Sequence, residues 1–259
     1  MRIVVGLEYC GVGFCGWQSQ PQGCGVQDAL EAAVSAIAGE RVVVTAAGRT
    51  DTGVHAAFQV AHFDTAAQRP LTAWVRGVNS HLPPGVAVLW AREVGDDFHA
   101  RFAATQRGYR YVLLNHPVRP GLNQGLIGWH HRPLDAESMN LAAAHLIGQH
   151  DFSAFRAAEC QAKSPVKELR LAHVERRGDY LLCDFRADGF LHHMVRNLMG
   201  CLVQVGAGAQ PPGWLHEILQ GRDRTLAAPT FDAAGLYLTH IRYPAHFALP
   251  ESSDRWLFA

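Results

Sequence analysis

RVVVTAAGRTDTGVHAAFQVAHFD, residues 41–64, decides how the chain is read. Its two ends, RVVVTAA (41–47) and AFQVAHFD (57–64), are rich in β-branched and aromatic residues and predict two strands. Between them a glycine-flanked loop carries one carboxylate, Asp51. Working outward, RIVVGLEY (2–9) predicts a strand, and VQDALEAAVSAIAG (26–39) has apolar positions at helical spacing. Downstream, PLTAWVRGVNSHL (70–82) suits a helix opened by Pro70, and VAVLWAREV (86–94) suits a further strand. The first hundred residues therefore read β-α-β-β-α-β, with Asp51 between the second and third strands.

The order then repeats. TQRGYRYVLLN (105–115) predicts a strand, and LDAESMNLAAAHLIG (134–148) a helix with Asp135 as its N-cap. KELRLAHVERR (167–177) and DYLLCDFRA (179–187) predict strands paired across Arg177-Gly178-Asp179. FLHHMVRNLMGCLVQVGAG (190–208) and GWLHEILQG (213–221) predict helices, and GLYLTHIRY (235–243) a closing strand. The expected class is α+β: two ferredoxin-like or RRM-like halves around a central, largely antiparallel sheet. The halves are expected at 1–102 and 103–245, followed by a tail at 246–259. A cleft between them is the natural place for a site.

The 259 residues, 48% hydrophobic, suffice for a sizeable core, and no apolar run is long enough to span a bilayer. The opening MRIVVGLEYCGVG lacks the pattern of a signal peptide. Cys10, Cys15, Cys24, Cys160, Cys183 and Cys201 form no C-x-x-C pair, which predicts reduced thiols in a soluble cytoplasmic protein. Formal charge is zero, so bulk charge announces no nucleic-acid partner. Lysine occurs only at Lys163 and Lys167. The remaining cations are arginines, which suit phosphates and base edges but also follow from GC-rich coding.

Three motifs are set aside. GVGFCG (11–16) is a literal G-x-G-x-x-G, but Pro21, Gly23 and Gly25 postpone the helix that a pyrophosphate site requires. The D-T-G at 51–53 has no second copy to form an aspartic-protease dyad. His192 and His193 lack a carboxylate–histidine metal spacing and read as partly buried structural histidines. Trp17 reads as a core anchor rather than a ligand platform. No metal and no cofactor is expected.

Asp51 is left. A carboxylate nucleophile must stay ionised, and a buried one needs a cation nearby. Arg196 lies among Met194, Val195, Leu198 and Met199, a setting in which an arginine usually has a buried acidic partner. Tyr109 and Tyr111 alternate with Arg110 and so share one strand face, which either packs a helix or stacks a base.

GRTDTGVHA (48–56) resembles the signature of the tRNA pseudouridine synthase A (TruA) family. The resemblance extends through FCGWQSQ, DDFHARFAATQRGYRY, DFSAFR, FLHHMVRNLMG and GLYLTHIRYP in the family's order. Thr52 stands where many members have alanine, which leaves the acidic residue in place. The resemblance implies the pseudouridine synthase fold, Asp51 as nucleophile, and Arg49 at the RNA backbone holding a flipped base out. It further implies Tyr109 against the target uracil, Arg196 paired with the aspartate, and Leu236 lining the uracil pocket. The implied activity is isomerisation of uridine at positions 38, 39 and 40 of the tRNA anticodon stem-loop by a homodimer. One carboxylate can serve this chemistry, by attack on ribose C1′ or uracil C6. The competing expectation is a catalytically silent RNA-binding protein with paired RRM-like halves.

Overall fold

The computed structural model describes residues 1–251. Its contacts divide the chain into two compact units, Met1–Gln106 with residues 237–251, and Arg107–Leu236. The architecture is α+β with largely antiparallel sheets, as the sequence predicts.

The first unit runs β1 (Arg2–Tyr9), α1 (Val26–Ala38), β2 (Thr45–Ala46), β3 (His55–Asp64), α2 (Val78–His81) and β4 (Val86–Val94). A π-helical segment, Ala73–Gly77, leads into α2. β1 lies between β3 and β4, antiparallel to both. Val4, Val5 and Leu7 of β1 are buried, as are Phe63, Trp74 and Phe98. At the start of α1 the Asp28 carboxylate reaches back to the Gly25 amide at 2.9 Å, which satisfies an orphan donor of the first turn.

One expected strand is mostly absent. Of residues 41–47 only Thr45 and Ala46 pair with β3, opposite His62 and Ala61. The backbone donors upstream go to helix side chains instead. Val42 N donates to Ser35 Oγ at 3.0 Å, and Val44 N donates to Glu31 Oε1 at 2.9 Å. The segment still buries Val42 and Val44 beneath α1, which explains its strand-like pattern.

The second unit contains β5 (Gln106–Asn115, from Arg107 on), β6 (Gly128–His130), α3 (Ala136–Ala144), β7 (Gly148–Asp151), β8 (Val166–Arg177), β9 (Tyr180–Ala187), α4 (Met194–Gly206) and α5 (Trp214–Gly221). β9 lies between β5 and β8, antiparallel to both, and β7 continues on β8. The Asp135 carboxylate accepts from Glu137 N at 3.0 Å, the expected N-cap. Tyr111, Phe152, Phe155, Phe185 and Leu198 are buried in this unit. The expected helix from 190 begins at Met194, because His193 adopts a left-handed φ of 62°.

β10 (Leu236–Arg242) pairs in parallel with β3, Tyr237 opposite His55. The sequence reading gives this strand to the second half; through that pairing its residues from Tyr237 cluster with the first unit. Of the expected tail 246–259, residues 252–259 lie outside the described residues. No helix among the described residues is long and apolar enough to cross a membrane.

Candidate active site

Asp51 sits half-buried on the loop between β2 and β3, where sheet pairing is suspended. Its carbonyl accepts from Val54 N at 3.1 Å, which closes the turn. The preceding Thr50 is buried, and its hydroxyl shares a 2.8 Å hydrogen bond with the Tyr9 hydroxyl. Burial pushes the Tyr9 phenol well above its ordinary range, so it remains a neutral hydrogen-bonding partner. Arg49, beside Thr50, is exposed.

The glycine-rich loop after β1 backs this turn. Trp17 N donates to Thr50 O at 2.9 Å, and Gly11 N donates to His55 Nδ1 at 2.9 Å. His55 is buried and stacks on Tyr237, with ring centroids 4.5 Å apart. Gly16 adopts φ 92°, and a β-carbon there would lie 2.7 Å from Thr50 O. The loop that imitates a dinucleotide fingerprint is therefore a close-packed support for the Asp51 turn. Trp17 is buried against Tyr9, as expected of a core anchor.

The expectation of six reduced thiols does not hold. Cys15 and Cys24 form a disulfide across this same loop, and Cys15 N donates to Cys24 O at 2.9 Å. Sequence spacing concealed the pair because the loop folds back on itself. Cys10, Cys160, Cys183 and Cys201 are free thiols.

In the second unit, Tyr109 and Tyr111 have different surroundings. Tyr111 is fully buried, donates to Asp232 O at 2.9 Å and packs near Phe231. Tyr109 is half-buried and meets Phe190 edge to face, with centroids 5.1 Å apart. Arg110, between them, forms an ion pair with Asp184 at 2.7 Å. The strand face divides into a structural tyrosine and a more accessible one.

Arg196 lies in the first turn of α4 and is half-buried. Its Nε donates to Phe231 O at 2.9 Å, while its own carbonyl accepts from Phe231 N at 3.1 Å. This two-way clamp fixes the base of the guanidinium. Leu236 is buried at the start of β10. His193 caps α4, and the rings of His192 and His193 lie 4.0 Å apart. His192 is exposed, contrary to the partly buried role expected of it.

Sequence reading missed His55 and Tyr237 as supports of the Asp51 loop. They lie far apart in the chain, and only the parallel pairing of β10 with β3 brings them together.

Comparison with known proteins places this geometry in a family. The sequence profile of the tRNA pseudouridine synthase family matches residues 6–103 and 142–244. A protein named tRNA pseudouridine synthase A from Thiobacillus denitrificans is 83% identical over 259 residues, covering the whole of both chains. Proteins of the same name from Dechloromonas aromatica and Chromobacterium violaceum are 60% and 61% identical. They cover 99% and 98% of this chain, and 98% and 97% of their own lengths. With full-length likeness joined to a lone carboxylate on a braced loop, the chain belongs to the tRNA pseudouridine synthase family.

Proposed function

We propose that the chain isomerises uridine to pseudouridine in tRNA, at positions 38, 39 and 40 of the anticodon stem-loop, with Asp51 as the nucleophile. The observation that carries this reading is the Asp51 turn, braced from behind by Trp17, Thr50 and Tyr9. A carboxylate that must attack one atom needs such bracing, because misplacement by about 1 Å costs about a hundredfold in rate. A silent RNA-binding protein would have no use for it.

Asp51 attacks ribose C1′ or uracil C6 and forms a covalent adduct. The N-glycosidic bond breaks, the uracil turns, and C5 bonds to C1′; the bond to Asp51 is released, the C5 proton is lost and N1 takes one up. The detached base must not escape. Tyr109 and Leu236 are assigned to wall the uracil, and Arg49 to take the place of the flipped base in its stack. Arg196, clamped at Phe231, is assigned to keep the Asp51 carboxylate ionised. The proposal includes a cytoplasmic homodimer with tRNA lying across both subunits.

The test is positional mapping of pseudouridine in an unmodified tRNA transcript after treatment with the purified protein. Modification confined to positions 38–40 supports the reading. Modification elsewhere in the tRNA rejects the assignment to the anticodon stem-loop.

A further inference from the structure

The turn after β4 holds an aromatic side chain outward. Phe102 keeps 78% of its surface exposed. A single exposed phenyl ring is ordinary, but the backbone beneath this one is tied down at every step. The Arg2 guanidinium donates to the carbonyls of Asp96 and Phe98. Ala100 N donates to Nδ1 of the buried His62 at 3.2 Å, and the Tyr243 hydroxyl donates to Ala100 O at 2.7 Å. Arg101 N and Phe102 N both donate to His99 Nδ1, at 3.2 and 3.3 Å. Ala103 N closes the turn on His99 O at 2.9 Å.

The rings continue this order. Phe98 packs edge-on to His62, His62 lies 4.8 Å from His99, and His99 lies 4.3 Å from Phe102 at an interplanar angle of 31°. An aromatic column thus runs from the core of the unit and ends at Phe102. Burial lowers the proton affinity of His99, with Arg2 adding to the effect, so its Nδ1 stays an acceptor for the turn. The Arg101 guanidinium carbon is 5.9 Å from the Phe102 ring centroid. An aromatic face beside a guanidinium is the combination that takes a nucleobase together with its phosphate. Preordering the ring also removes most of the entropy that a mobile side chain would lose on binding.

We propose that Phe102 is a stacking platform for an unpaired nucleobase of the substrate RNA, with Arg101 positioned for the attached phosphate. This rests on the tRNA reading above.

The test measures binding of a dye-labelled, unmodified anticodon stem-loop transcript by fluorescence anisotropy, together with uridine conversion. It compares wild type, Phe102→Ala, Phe102→Leu and Phe102→Trp. Stacking on one base corresponds to roughly a 10-fold change in affinity. Phe102→Ala and Phe102→Leu should each weaken binding by about that factor, while Phe102→Trp stays close to wild type. Phe102→Leu keeps an apolar side chain, so its loss of binding at an unchanged melting temperature separates stacking from folding. Wild-type binding by Phe102→Ala and Phe102→Leu, from a protein that converts uridine, overturns the platform and leaves the family reading intact. Loss of a dimer in light scattering by these variants overturns it in favour of a contact between two copies. A wild-type protein that neither binds the transcript nor converts uridine overturns the functional reading itself.

Discussion

Two connections occupy the same place in the repeated strand order and are built in opposite ways. In the first unit, residues 47–54 join β2 to β3; in the second, residues 178–179 join β8 to β9. The β8–β9 hairpin pairs up to Arg177 and Tyr180 and turns at once through Gly178, φ 60°. The β2–β3 connection gives up pairing after two residues and takes its support from side chains and loops elsewhere in the chain. Thr50 is held by Tyr9 and Trp17, and His55 by Gly11 and Tyr237. A continuous ladder leaves no room to aim a carboxylate. The site is placed where the ladder stops and other parts of the chain replace it.

The contrast can be broken most sharply at Asp51. Asp51→Asn should lower the rate of pseudouridine formation by roughly 10⁴-fold or more, since the amide keeps the shape but not the nucleophile. The variant should stay folded under the assay conditions, checked by its denaturant unfolding curve, because asparagine keeps the shape of the side chain. Arg196→Met should cost about a hundredfold in kcat/KM if the guanidinium supports the developing charge. It should also lose about 1–3 kcal/mol of stability, as Phe231 O is left without its donor. Full activity in a destabilised Arg196→Met protein would make the Phe231 clamp purely structural.

A glycine that backs the first connection and one inside the second sharpen the comparison. Gly16→Ala places a β-carbon 2.7 Å from Thr50 O at φ 92° and should cost about 2–3 kcal/mol. It should lower activity as well, because the relief moves the Asp51 turn. Gly178→Ala meets no atom within 4 Å and carries only the left-handed backbone strain, about 1 kcal/mol, with activity unchanged. Chemical denaturation and steady-state rates on both variants decide the matter. Equal losses of activity would contradict the account.

A further effect is one of pH. His62 on β3, opposite Thr45, has its pKa lowered from 6.5 to about 4, by burial first and then by His99 and Arg2. In the unfolded chain the ring binds a proton below its ordinary value, and in the folded chain it does so only near 4. Stability from the neutral ring is therefore present in full above about 6.5 and lost as pH falls toward about 4, on the order of 1 kcal/mol or more. Unfolding measured across that range should show the slope, and His62→Gln should flatten it.

Much of this was legible in the sequence, for identifiable reasons. β1, β4, β8, β9 and α1 carry uninterrupted periodicity, and Asp135 sits where a cap must be. Residues 41–47 misled because burial under a helix repeats with the same alternation as burial in a sheet. β6 and β7 are too short to show a period. Asp51 stood out as a lone carboxylate between glycines. Its supports could not, since Tyr9, Trp17, His55 and Tyr237 meet through tertiary contacts that no local spacing encodes. The Cys15–Cys24 pair was hidden because its loop folds back on itself, which no cysteine spacing announces.

The central claim is that Asp51 rearranges uridine without help from another reagent. It is tested most directly with tRNA carrying tritium at C5 of uracil, treated with purified protein in the presence of EDTA. Tritium released to water is compared with pseudouridine recovered after nuclease digestion. The account predicts one tritium lost per pseudouridine formed by wild type, and neither from Asp51→Asn. Release by Asp51→Asn at the wild-type rate, or pseudouridine absent from the wild-type digest, would contradict it.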